Sequence, residues 1–184
     1  MKSTTISPLL FLIALTLFSA QKPALKYTTQ SGEAYFYSSA PLEDIEAKSN
    51  KLVGVIAPST RKMAFAVKIT TFDFKNKLMQ KHFNDDYMQS STYPKATFVG
   101  VINEEVDLLK DTTAVVTLTG KLTIKGVEVE RTLEGNLSIE GAVLKFNSQF
   151  SVPLADHEIK VPKMFVKNIA EEIDVTIQGV MDLK

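Results

Sequence analysis

The chain has no cysteine and two histidines, so few side chains could act as nucleophile, base or soft metal ligand. Losing cysteine removes thiolate catalysis, thiolate metal sites and disulfides together. His82 stands in KLMQKHFNDD and His157 in PLADHEIKV. Nucleophilic catalysis needs a nucleophile, a base and an orienting group, and neither histidine lies in a motif that supplies them. His82, Asp85 and Asp86 could converge at a helix end, but no second histidine stands at ligand spacing. The plainer reading is a helix stopped by turn-forming residues, with His82 partly buried and bonded to a nearby carbonyl. The glycines stand singly and form no phosphate-binding loop. The chain is therefore expected to have no catalytic residue, no metal and no cofactor. An enzyme acting on a lipid through His82 is the weakest of three readings.

The chemistry that remains is apolar. Lys68 to Gly100, KITTFDFKNKLMQKHFNDDYMQSSTYPKATFVG, interrupts a chain that otherwise reads as one strand after another. Four aromatic residues, Phe72, Phe74, Phe83 and Tyr87, surround one short helical piece there. Leu78, Met79, His82 and Phe83 form its apolar stripe at spacings of three and four. Such an insert needs an apolar place to dock, and the open end of a barrel offers one. It then either covers the mouth of a cavity or plugs the core.

The strands that would build the barrel are read from alternation. Lys26–Thr29 and Gly32–Ser39 look like a first hairpin, with Ala34, Phe36 and Ser38 on one face. Leu42–Lys48 reads as a short strand, Asn50–Ile56 as another, and Pro58-Ser59-Thr60 as a turn. Met63, Phe65, Val67 and Ile69 alternate with Ala64, Ala66, Lys68 and Thr70. The helix is expected over about 76–83. Phe98, Gly100 and Ile102 share a face, and 103–111 is a charged connection. Three long strands follow, over 113–124, 127–139 and 142–152. Their apolar faces carry Val116 and Leu118, then Leu133 and Leu137, then Phe146 and Phe150. Lys125-Gly126 and Glu140-Gly141 suit two-residue hairpin loops, which would put Ile124 with Val127 and Ile139 with Ala142 on that same face. Residues 154–170 form an irregular link, and 173–183 is the last strand, apolar at Ile173, Val175 and Ile177.

About eight antiparallel strands, each apolar on one face, close most simply into a single extended barrel. A helix and aromatic loop would be inserted near one end. A sandwich satisfies the same alternation, but strands this long favour the barrel. Gly100, Gly120, Gly135 and Gly179 fall in the inward register. They either let strands coil or leave internal space, and the mechanical role is favoured. Arg131 is the one inward charge in the long strands, so it needs a partner. It either reaches solvent or an acid near the barrel end, which is favoured, or meets the polar head of a ligand.

Residues 1–20 have the layout of a secretory signal peptide: Lys2, then the apolar run Leu9–Phe18 broken only by Thr16, then Ser19-Ala20. The run is too short to span a bilayer stably. Cleavage is expected after Ala20, although Phe18 occupies a position that prefers a small residue. A retained anchor is the alternative. Residues 21–184 would then form one periplasmic or secreted domain with no membrane span. Lys2 is the only charge in the leader, so 21 basic and 21 acidic side chains become a mature charge near −1. That balance gives no electrostatic reason to bind nucleic acid.

The central stretch resembles the YceI-like family of exported lipid-binding proteins. The matching residues are Phe72-x-Phe74, Leu78-Met79, His82-Phe83-Asn84, Tyr87-Met88, Ser90 and Tyr93-Pro94-Lys95-Ala96-Thr97-Phe98-x-Gly100. A second match is Leu122-Thr123-Ile124-Lys125-Gly126-Val127. The resemblance implies a lipocalin-like barrel with a long apolar tunnel for polyisoprenoid lipids, such as quinones or prenyl phosphates. It brings no enzymatic residues. One departure stands out: the family pattern suggests a basic residue at 129 and an aliphatic one at 131, and Val129 and Arg131 exchange those types.

The function expected is that of an exported binding protein holding an elongated apolar ligand, a polyisoprenoid or quinone, for transport, storage or sequestration. The tail would be lined by Phe65, Val67, Ile69, Phe98, Val116, Leu118, Leu133, Leu137, Phe146 and Phe150. Phe72, Phe74, Met79 and Phe83 would form the lid, and Arg131 is the candidate for the head. The alternative is a structural or interaction barrel with a filled core. Oligomeric state is left open, a homodimer being the assembly admitted.

Overall fold

Alternating apolar and polar residues make strands with one dry face, and here that face curls inward on itself. The structure, a computed structural model, describes residues 24–184; the expected leader and its cleavage after Ala20 lie outside them. The strands are β1 (Tyr27–Ser39), β2 (Asp44–Ala57), β3 (Lys62–Lys68), β4 (Asp73–Phe74), β5 (Lys95–Ile102), β6 (Thr112–Ile124), β7 (Val127–Glu140), β8 (Val143–Pro153) and β9 (Glu172–Leu183). They follow the order β1-β9-β8-β7-β6-β5-β3-β2-β4, and β1 pairs with β2. Eight antiparallel strands thus close a barrel, and the two-residue β4 sits outside it on β2.

Three expectations change. Residues 27–39 are one strand, not a hairpin: Gln30-Ser31 bulge between paired segments, shifting the register on β2 between Thr29 and Ala34. The two short strands expected between 42 and 56 are one continuous β2. The loop between β7 and β8 is Gly141-Ala142 in place of Glu140-Gly141, so Ile139 pairs with Leu144. That moves each partner by two residues, which leaves every side chain on its expected face. The other loop is as expected: Ile124 pairs with Val127, and Lys125 and Gly126 both take positive φ, 50° and 78°.

The register defines two different ends. The connections 58–61, 103–111 and 141–142 lie at one end with the start of β1 and the finish of β9. Here Tyr27, Ile56, Ile102, Leu108, Ile139, Leu144 and Met181 are at most 1% exposed. The connection 103–111, charged as it is, folds Leu108 inward as a plug, and the Tyr27 hydroxyl donates to the Leu108 carbonyl at 3.0 Å. At the opposite end lie the 40–43 turn, the 69–94 insert, the Lys125-Gly126 turn and the 154–171 link.

Within the insert, Asn76 caps α1 (Lys77–His82) by accepting from the Leu78 and Met79 amides. The helix widens into one π turn over Phe83–Tyr87, where the Met88 amide reaches back to the Phe83 carbonyl. Two ion pairs, Lys77–Asp73 and Lys81–Asp85, run along its outer side. The expected stripe is corrected by half. Met79 and Phe83 pack against the core, whereas Leu78 is 61% exposed and His82 also faces outward. Six residues of helix are too short to bury a broad face.

Candidate functional site

A cavity of about 550 Å³ opens at the end that carries the insert. Its walls come from alternate residues of the strands: Phe65 and Val67 on β3, Phe98 on β5, Leu122 and Ile124 on β6, Phe150 and Val152 on β8. Ile173, Val175 and Ile177 of β9 complete the wall beside β1. Ile69, Phe72, Phe74, Met79 and Phe83 close over it from the insert.

The lid is an aromatic cluster centred on Phe36 of β1. Its ring stands 5.5 Å from Phe72, 5.7 Å from Phe74 and 5.4 Å from Phe83, and Phe74 and Phe83 are 5.0 Å apart. These are ordinary spacings for attractive ring contacts. Phe36 holds the insert to the barrel.

The floor rests on glycine. Phe65 pairs across the sheet with Gly54, and a Cβ on Gly54 would stand 2.3 Å from Phe65 Cε1. Phe146 pairs with Gly179 in the same way, with 3.0 Å to its Cε1. The two rings meet at 5.1 Å. Inward glycines therefore leave space, as one of the two sequence readings held, but aromatic rings fill it. Gly100 and Gly120 serve the mechanical role. They pair directly, and a Cβ on Gly120 would stand 2.4 Å from the Val99 carbonyl oxygen.

Nine of the fifteen expected ligand-binding residues line the cavity: Phe65, Val67, Ile69, Phe72, Phe74, Met79, Phe83, Phe98 and Phe150. Five others are at most 7% exposed and do not line it: Phe146 forms the floor with Phe65, and Val116, Leu118, Leu133 and Leu137 belong to the packed half beneath. Alternation marked them as inward and could not mark their depth. Phe36, Ile45, Leu52, Val175 and Ile177 line the cavity without having been expected to. Their signal was available, since Phe36, Val175 and Ile177 all fall in inward registers.

Arg131 lies off the cavity wall. β7 and β8 pair only between Asn136↔Asn147 and Glu140↔Val143, so the wall splits toward the open end. Side chains bridge the split. Ser148 Oγ donates to the Glu134 carbonyl at 2.5 Å, and Arg131 Nη2 donates to the Ser151 carbonyl at 2.6 Å. Arg131 Nη1 also stands 3.5 Å from Asp156 Oδ2. Its partners are thus a strand carbonyl and, at the longer distance, an acid near the barrel end, and the exchange of residue types at 129 and 131 puts no base into the cavity.

A short 3-10 turn, Leu154–His157, wedges beside that split. His157 is fully buried, and its Nδ1 lies 3.1 Å from the Val127 carbonyl, to which it donates. Its Nε2 is buried without a hydrogen-bond partner. Burial pushes this imidazole below its ordinary value, against the opposing pull of the Val127 bond and Asp156. The irregular spacing of this link gave no sign that its histidine would be a structural wedge.

Polar groups gather at the mouth. His82 Nδ1 lies 2.6 Å from Asp86 Oδ2, and not against a carbonyl as expected. Asn168 Nδ2 donates to Glu43 Oε2 at 3.4 Å, and Lys160 completes the group. Among the described residues no cluster of three histidines or acids is placed to hold a metal ion.

The YceI-like domain family matches residues 28–181. No curated protein matches the sequence. Several solved structures share the fold. A polyisoprenoid binding domain from Saccharophagus degradans superposes with a TM-score of 0.73 at 14% identity, covering 89% of this chain and 100% of that one. BcnA from Burkholderia cenocepacia gives 0.68 at 20% identity, covering 81% and 95%. The YceI protein of Campylobacter jejuni gives 0.55 at 17% identity, covering 99% and 98%. The two stretches that carry the resemblance also touch in space. A Cβ on Gly126 would stand 2.6 Å from Tyr93 Cε1, so the Tyr93 ring covers the turn between β6 and β7.

Proposed function

This chain belongs to the YceI-like family, and from that premise we propose that it is an exported, non-enzymatic binding protein for a polyisoprenoid lipid or quinone. The observation that carries the reading is the cavity of about 550 Å³, walled by aliphatic and aromatic side chains and open at one end. That is the size and character of a site for a small apolar molecule. The likeness to a polyisoprenoid binding domain supports the same ligand class.

Affinity would come from burial alone. Each buried methylene contributes ~0.8 kcal/mol, so one five-carbon isoprene unit contributes about 3–4 kcal/mol gross. A few units offset an association cost of roughly 4–15 kcal/mol. Methionine and aromatic rings in the lid suit a branched tail of variable fit. The head would rest at the mouth. Of the charged side chains there, Glu43 and Asp86 are acids and Lys160 is the one lysine, and Arg131 is held elsewhere. An uncharged head, such as a quinone or alcohol, suits this balance better than a phosphate.

The test is native mass spectrometry and solvent extraction of protein purified from its own host. A copurified isoprenoid, or uptake of added quinone, is the expected result. Repeated recovery of ligand-free protein that also ignores added quinone overturns the proposal.

A further inference from the structure

The link between β8 and β9 ends in an unusual tip. From Ile159 to Ala170 the sequence IKVPKMFVKNIA holds three lysines and no acid. Lys160, Lys163 and Lys167 enter no ion pair among the described residues. Between them Met164 is 78% exposed, Phe165 43% and Val166 49%. Leu42, 68% exposed, stands beside this tip, its amide donating to the Lys167 carbonyl at 2.9 Å. Leu78 projects from α1, the other segment that lines the open end.

Exposed apolar residues elsewhere are scattered. Val53, Val99, Val115 and Val180 lie on different outer strand faces, and Leu25 and Leu109 lie at the closed end. Isolated exposures of that kind need no explanation. The rim differs because three consecutive apolar side chains are flanked by lysines. It also adjoins the cavity, since Phe165 stands in the wall. Of the acids near it, Glu43 is engaged by Asn168 and Asp86 by His82, while Glu158 and Glu171 flank the segment.

We propose that this rim docks on the surface of an anionic lipid bilayer. Met164, Phe165, Val166 and Leu42 enter the headgroup layer, and the lysines meet the lipid phosphates. Shallow apolar insertion and anionic attraction are the two contributions that hold proteins at membrane surfaces. Docked in this way, the mouth faces the apolar phase from which a water-insoluble tail must come. The docking geometry stands on the rim itself; its purpose rests on the carrier reading above.

The chain contains no tryptophan, so M164W places a single indole reporter on the rim. The experiment uses protein purified from its own host, with vesicles of phosphatidylglycerol and phosphatidylethanolamine or of phosphatidylcholine alone. Indole emission should shift to the blue on the anionic vesicles, be quenched by brominated acyl chains, and return toward its free value in 0.5 M salt. K163E/K167E should weaken vesicle association at least tenfold, leaving quinone uptake from detergent unchanged. Unshifted emission with both vesicles overturns docking even where quinone binds, and failure of quinone uptake instead overturns the carrier reading. Docking is also overturned if the lysine substitutions leave association intact, or if they abolish a concentration-dependent dimer and vesicles have no effect.

Discussion

Phe65 lies over Gly54 so closely that the two positions act as one unit. A Cβ on Gly54 would meet the ring at 2.3 Å, and the strand backbone cannot retreat without breaking its pairing with β3. The ring has somewhere to go, because it also faces the cavity. Gly54→Ala should therefore push Phe65 upward into the ligand space. Overpacking typically costs about 1–3 kcal/mol, and this site should fall at the low end because the ring can yield. Quinone affinity, read by titration, should fall by about tenfold, while denaturant unfolding shows only the smaller loss. His157 makes a different residue-scale prediction. It is buried, and Asp156 and Arg131 are the charged groups acting on it, the first raising and the second lowering its value. Its folded value lies below the unfolded one near 6.5. The unfolded chain thus takes up a proton first as pH falls, so stability is full above pH 6.5 and declines below it. The melting temperature should drop between pH 6.5 and 5, and His157→Gln should flatten that slope. An equal slope in both proteins would remove His157 as its cause.

At the scale of elements, the weak part of the barrel is the seam between β7 and β8. Five residue pairs join these strands at the closed end, and beyond Asn136 side chains replace the ladder. Arg131 bridges to Ser151 and Asp156 across the split. Hydrogen bonds involving a charged group contribute about 1.5–3 kcal/mol, so Arg131→Met should cost roughly that in denaturant unfolding. Amide exchange should quicken in 127–134 and 148–153 and stay unchanged in β1–β2, which separates a seam defect from general loosening. Much of the barrel was legible in sequence. Alternation in β6, β7 and β8 fixed which side chains face inward, and it survived a shifted turn because pairing moved by an even step. The seam was not legible. The one mark of it in the alternation of Val127–Glu134 is the inward-register charge of Arg131, which asks for a partner without saying that the strands part, and the wedge at Leu154–His157 has no periodicity. The depth of the cavity was not legible either. Leu137 and Phe98 look alike in the pattern, yet one is packed below the floor and the other lines the ligand space, because depth depends on what stands opposite.

The whole molecule is a barrel hollow at one end and solid at the other, and that asymmetry limits the ligand. The cavity wall runs over four residue steps on β1, from Ser38 down to Ala34, and over seven on β2, from Ile45 down to Leu52, or ~13 to ~23 Å at 3.3 Å per residue. Beneath it Phe146, Leu118 and Leu133 pack into the buried core of the closed half. A tail longer than the hollow must fold back or stay outside the mouth. Affinity over a series of quinones with increasing tail length should thus rise steeply for the first units, at up to about 3–4 kcal/mol gross each, and then flatten. Thermal shift gives the reading. Ligand at a hundred times its dissociation constant stabilises the fold by about 2.7 kcal/mol. For a domain of this size each kcal/mol raises the melting temperature by roughly 2–4 °C, so saturation should bring about 5–11 °C. A shift that keeps growing with every added unit would mean the packed half opens to admit the tail, and the Phe65–Phe146 floor would then be a gate instead of a stop.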